Sequence, residues 1–261
     1  MEYPEPLPER LEAIYQEILN GHYDAPEWAD VTATIPDHTA TFHVFADALK
    51  IDGVRVNVSA EYEQKIADAL GCSLLTPKLA DLIWLQKAVL LTPYPMTITS
   101  SVQGMLTHSA NIDKGLAAIS YTGGLICTVG KHWVIDNAIA SNGKACNYGW
   151  HFNGQSYQGI SGETCASLIK DPKTGMYYKL IQGRGTAHDM HHADYSQICV
   201  LVNQWCNVDG NPMRLEALLQ DPVLCALASC QGVMTVLRQP GVPEPENQQL
   251  VLPEVKIIGR T

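Results

Sequence analysis

No stretch of this 261-residue chain is rich in lysine or arginine. Its 17 basic side chains are scattered among 27 acidic ones, for a net charge of −10. Nucleic acid and polyanionic glycans are disfavoured as partners, because nothing concentrates the counter-charge they need. Neutral or cationic ligands meet no such barrier. No apolar run is long enough to cross a bilayer: the most apolar window, Leu79–Leu91, is broken by Asp81 and Lys87. The opening Met1-Glu2-Tyr3-Pro4-Glu5-Pro6 is acidic and proline-rich and lacks the apolar core of a secretory signal. The expectation is a soluble protein, cytoplasmic at synthesis, with no membrane contact. Several motifs are missing as well. There is no C-x-x-C, no P-loop, no G-x-G-x-x-G, no G-x-S-x-G elbow and no H-E-x-x-H. Their absence argues against zinc ribbons, thioredoxin-type redox sites, nucleotide cradles, serine-elbow hydrolases and zinc peptidases of the common types.

Apolar residues make up 46% of the chain and charged ones 17%, enough to build a sizeable core and too apolar for disorder. Eight cysteines occur, several inside apolar runs (Ile126-Cys127, Ile198-Cys199, Leu224-Cys225), where a thiol behaves as a small buried hydrophobe. Mostly reduced thiols are expected, with one incidental pair among Cys199, Cys206, Cys225 and Cys230.

Apolar spacing predicts a helix over residues 7–20 that stops at Asn20-Gly21. Asp52-Gly53, between Thr41–Lys50 and Val54–Val58, signals a hairpin. Ser59 caps a helix running to Leu70, and Thr76-Pro77 starts another that runs to Leu90. Residues 92–100 read as loop, and helical spacing returns over 102–119. From Gly124 the texture changes to short β-branched runs (Leu125–Val129, Trp133–Ile135, Tyr177–Ile181, Ile198–Val202), followed by short helices at Arg214–Leu219 and after Asp221-Pro222. The fold class is α+β: a helix-rich N-terminal half with a β-hairpin (1–120) packs on a mostly antiparallel sheet in the C-terminal half (121–238). An extended tail follows over 239–261. No linker marks a boundary, so residues 1–261 are read as one domain.

Three of the nine histidines, His188, His191 and His192, fall within five positions, followed by Asp194-Tyr195-Ser196 and the apolar run Ile198–Val202. Titratable groups leading directly into a core strand are costly unless they are hydrogen-bonded or used. Strand alternation puts His192 and Asp194 on one face. Upstream, Tyr148-Gly149-Trp150-His151 offers an imidazole beside an apolar wall, which would keep it neutral and basic. His132 also heads a strand and follows Cys72 in the order used by papain-like peptidases. No glutamine oxyanion element precedes Cys72, so that thiol reads as structural.

The order Tyr148-Gly149-Trp150-His151, then Ile181-Gln182 with five residues before His188, then Asp194-Tyr195-Ser196, resembles an uncharacterised family of bacterial and phage proteins. Leu75-Thr76-Pro77-Lys78, with Asp81 and Trp84 in the helix it enters, is similar to that family's middle segment. The likeness covers residues 45–205 in patches. Residues 154–180 look like an insertion, and Gln197 stands where the family pattern has histidine. The resemblance singles out residues and implies no particular reaction.

These observations lead to an expected hydrolase in which His151, His188 and Asp194 converge as catalytic residues. Tyr148, Trp150, Gln182 and Tyr195 would bind a cell-wall glycan or peptide substrate. No cofactor is assigned; a divalent metal at His188, His192 and Asp194 is the alternative. The rival class is a non-catalytic binding or structural protein, phage-type by that resemblance, whose polar cluster is a buried hydrogen-bond network. Oligomeric state is left open.

Overall fold

The computed structural model describes residues 1–97, 99–127, 129–140, 143–156 and 165–245. The last part of the expected tail, 246–261, lies outside the described residues. So do residues 157–164 of the expected insertion.

Helix α1 (Leu7–Leu19) forms where the periodicity places it, burying Leu11, Ile14 and Ile18 on one stripe, and ends ahead of Gly21 at φ 75°. It is followed by β1 (Trp28–Ile35) and β2 (His38–Phe45), a hairpin in full register from Trp28↔Phe45 to Ile35↔His38. The short hairpin β3 (Lys50–Ile51) and β4 (Val54–Arg55) turns at Asp52-Gly53, both with positive φ, as a type I′ turn requires. Ser59 caps α2 (Ala60–Ala69) by accepting from the Tyr62 amide at 3.4 Å. After β5 (Cys72–Ser73), Thr76 caps α3 (Pro77–Leu85) through the Leu79 amide at 3.1 Å. The helix stops short of the expected Leu90 because Val89 and Leu90 form β6, which pairs in parallel with β7 (Ile126–Cys127). Between them runs α4 (Val102–Ala118), capped by Ser101.

The remaining strands are β8 (Lys131–Val134), β9 (Lys144–Ser156), β10 (Leu168–Lys170), β11 (Tyr177–Asp189), β12 (Val202–Val208) and β13 (Asn211–Arg214). They precede α5 (Leu215–Gln220) and a 3-10 turn, Leu224–Leu227; another 3-10 turn, Asn137–Ile139, lies between β8 and β9. A larger sheet has the order β1-β2-β12-β13, with β5 against β12; a second has the order β10-β11-β9-β8, antiparallel throughout. One contiguous apolar cluster runs from Leu11 to Val236 and includes Phe42, Trp84 and Trp133.

The class is mixed α and antiparallel β. The expected division into a helical half and a sheet half is not clean, because β1 and β2, within the first 45 residues, supply half of the larger sheet's main path. Among the described residues no helix is long and apolar enough to cross a membrane. Cysteine pairing also differs from expectation: the disulfide joins Cys165 to Cys230, with Cα atoms 6.5 Å apart. Cys72, Cys146, Cys199, Cys206 and Cys225 are free and buried.

The segment Asp194–Leu201 joins the two sheets. Lys131 N donates to Ser196 O at 2.7 Å, and Ile198 N to Lys131 O at 3.2 Å, while Leu49 N and Phe45 N reach Cys199 O and Leu201 O. Gly130 permits that approach: a Cβ there would collide with the Ser196 carbonyl and crowd the Ile198 side chain.

Candidate functional site

The backbone pairing of Lys131 with Ser196 and Ile198 brings the Lys131 side chain onto Asp194. Its Nζ lies 2.8 Å from Asp194 Oδ2, with the two side chains only 11% and 3% exposed. The other oxygen, Oδ1, accepts from Ser196 N at 2.8 Å and Ser196 Oγ at 2.6 Å. The Asp194 peptide is fixed as well. Asn57 Nδ2 donates to its carbonyl at 2.7 Å, and its own N–H donates to Gln197 Oε1 at 2.5 Å. Burial works to raise the Asp194 carboxyl, but the nearby His192 imidazole and the hydrogen bonds from Lys131 and Ser196 outweigh it and hold the group well below the usual carboxylate range.

His192 Nε2 is 3.8 Å from Asp194 Oδ2, and its side chain is 40% exposed. Its ring stacks on that of His188, with centroids 6.0 Å apart and planes at 22°. His188, half-buried at the end of β11, meets Trp133 edge-on at 5.8 Å. Burial lowers the tendency of His188 to take up a proton, His192 and Lys131 lower it further, and Asp194 opposes them. Two imidazoles that reach solvent therefore lie over an ionised, buried carboxylate. Such a set can accept a proton from water and pass one on.

The Tyr148–His151 motif belongs to a different cluster. Tyr148 OH and His151 Nε2 both lie 2.8 Å from Asp81 Oδ1, on α3. The His151 ring stacks on Trp84, with centroids 5.4 Å apart, and Trp84 in turn packs on Tyr178. His151 is 2% exposed and Tyr148 is fully buried. Beside them lies His132, cross-strand from Tyr148, whose pKa burial and His151 push down to about 3.

The structure does not bring His151 together with His188. Antiparallel partners point the same way and neighbours along a strand alternate. Trp133 pairs with Asn147, and His188 with Ala145 two residues earlier. Trp133, His188 and Lys131 thus share one face of the second sheet, whereas His132, Tyr148 and His151 occupy the other. In a regular strand Tyr148 and His151 would face opposite ways. Gly149 at φ 109° and Trp150 at φ 55° form an irregularity that turns His151 onto the Tyr148 side.

Of the residues expected to bind substrate, Tyr148, Trp150 and Tyr195 are buried. Trp150 lies in an aromatic trio with His108 and Tyr195. Tyr195 is covered by the loop before α4: its hydroxyl accepts from Met96 N at 2.6 Å and donates to Met96 O at 3.1 Å. Gln182, half-buried, is turned onto the Gly183 carbonyl. His191 lies on the surface against Glu61.

Lys131, Asn57, Gln197 and Asp81 are the partners that the sequence analysis did not assign. Lys131 had a signal, since a lysine heads the buried run His132–Ile135. Asp81 had one too, as a carboxylate inside an apolar helix. Asn57 had none. Among the described residues no three histidine, cysteine or acidic side chains form a group able to hold a metal ion. No protein-family model, no curated protein and no solved structure matches the chain.

Proposed function

We propose that the chain is a hydrolase acting on a glycan or peptide, with its chemistry at Asp194, His192 and His188. The supporting observation is the half-exposed imidazole pair stacked beside a buried carboxylate whose every contact is fixed by protein. In this reading His188 takes the proton of the attacking water. His192, backed by Asp194, donates to the leaving group. His151 stands outside this centre and serves the interior. A neutral substrate suits a chain of net charge −10.

A second reading has its own observation. Both Asp194 oxygens are already occupied by protein donors, and His151 is closed off by Asp81. The clusters would then be satisfied networks that fix the tie between the sheets of a binding or structural protein.

A panel of peptidoglycan, chitin-type glycans and peptides separates the two. Turnover by the parent chain, lost in His188→Ala and in Asp194→Asn, supports the hydrolase. A parent chain that turns over no member of the panel leaves the second reading in place.

A further inference from the structure

Lys131 has no role in the chemistry just described, yet it is the side chain on which the charge of the site turns. It approaches Asp194 Oδ2 from β8 at 2.8 Å, while His192 lies 3.8 Å from the same oxygen. An unneutralised carboxylate at that position would draw a proton onto the stacked imidazoles, because a nearby opposite charge favours the ionised form. A protonated His188 cannot serve as a base. The ammonium of Lys131 cancels that charge at a pair whose two side chains are only 11% and 3% exposed.

We propose that Lys131 is a positioning residue that keeps His188 neutral, and so able to accept a proton, by neutralising Asp194. The proposal rests on the hydrolase reading for its purpose, though not for its test. The other charged or titratable groups near the pair are few. Asp189 is exposed and faces Lys144 across the ladder. Glu61 is taken up by His191 at 2.6 Å and by Lys65 at 2.6 Å. His108, behind Tyr195, is held neutral by burial, its pKa pushed down to about 4. None of these binds Asp194, so Lys131 supplies the one permanent cation at the carboxylate, His192 being charged only when protonated.

The test is the titration of His188 by NMR of its ring protons in the full chain, assigned by their loss in His188→Ala. Lys131→Met, which keeps the stem and removes the charge, should raise the titration midpoint by about one pH unit. Lys131→Arg should leave it within a few tenths. The double variant Lys131→Met/Asp194→Asn removes both charges and should return the midpoint to near the parent value. Should Lys131→Met alone fail to fold, Asp194→Asn supplies the converse, since an unopposed Lys131 should push the midpoint below the parent's. An unmoved midpoint in Lys131→Met, or in Asp194→Asn where that variant stands in, overturns the proposal, as does a shift of equal size in Lys131→Arg. A substrate panel run alongside keeps the two ideas apart: a shifted midpoint without turnover removes the hydrolase and leaves the electrostatic role of Lys131.

Discussion

Tyr148 and His151 donate to the same oxygen of Asp81, each at 2.8 Å, although their spacing along β9 would send them to opposite faces of a regular strand. The convergence depends on two consecutive positive-φ residues, one of them the non-glycine Trp150. A cluster that looks local in sequence is in fact made by a local departure from extended backbone inside a continuous strand.

Gly149→Ala tests that dependence. Its Cβ would lie 2.9 Å from His132 Cδ2 on a backbone at φ 109°, a conformation alanine avoids. The variant should lose about 1–3 kcal/mol, read as a fall of several degrees in thermal unfolding. An unchanged melting temperature would mean that β9 can run straight through Gly149.

At the other cluster, Asp194→Asn and His188→Ala should differ in stability. The first leaves Lys131 buried against a neutral amide and should cost about 3–5 kcal/mol. The second removes a half-buried ring and should cost about 1 kcal/mol or less. Acid should narrow the first gap. The Asp194 carboxyl is held below its ordinary value of 3.8, so its contribution is present above that pH and is lost as pH falls through the depressed value. Denaturant titrations at pH 7 and pH 3 measure both effects. Equal costs for the two variants would count against the Lys131–Asp194 pair as the anchor of the corner.

Glu63 should behave in the opposite sense. It is completely buried on α2; the Val200 and Trp133 amides approach its carboxyl short of hydrogen-bonding geometry, and burial holds it protonated far above its usual range. The folded state keeps a proton that the unfolded state releases above its ordinary value of 4.5. Stability is therefore lost as pH rises from there towards the raised folded value, at about 1.4 kcal/mol per pH unit. Glu63→Gln should be more stable than the parent at pH 7, with the advantage vanishing below pH ~4. A glutamine variant less stable at pH 7 would mean that the carboxylate is ionised and paired.

The disulfide gives a simple mass prediction. Alkylation of the unfolded, unreduced chain should leave Cys165 and Cys230 unlabelled and label Cys72, Cys146, Cys199, Cys206 and Cys225. Label on Cys230 without prior reduction would rule out that bridge. A surface half-cystine and a buried partner, Cys165, also make the bond sensitive to the redox state of its surroundings.

The helices were largely legible because their signals are local: a cap at Ser59, another at Thr76 followed by Pro77, and an apolar stripe in α1 ending at Gly21. β1 escaped notice because, although Ala29, Val31, Ala33 and Ile35 alternate with Asp30, Thr32 and Thr34, two of its apolar positions are alanines and carry little apolar signal. β9 escaped because its two glycines and two asparagines resemble turn composition. Around the site, the stretch from His188 to Ser196 stands out in the sequence, but the expected strand alternation of His192 and Asp194 does not occur: β11 ends at Asp189, and it is the turn and loop after it that leave His192 near Asp194. What no local pattern reveals is the partner. Asp81 reaches His151 from 70 positions away and Lys131 reaches Asp194 from 63, each through pairing decided elsewhere in the sheet.

The tie formed by Asp194–Leu201 has a consequence for biosynthesis. The β1–β2 hairpin emerges from the ribosome with its inner edge bare, since β12, which covers that edge, begins at Val202. For most of the time needed to make the chain, β2 presents unpaired amides and an apolar face containing Phe42 and Val44. Nascent chains halted before residue 202 should therefore depend on a holding chaperone and aggregate without one, whereas the released full-length protein closes the edge from within.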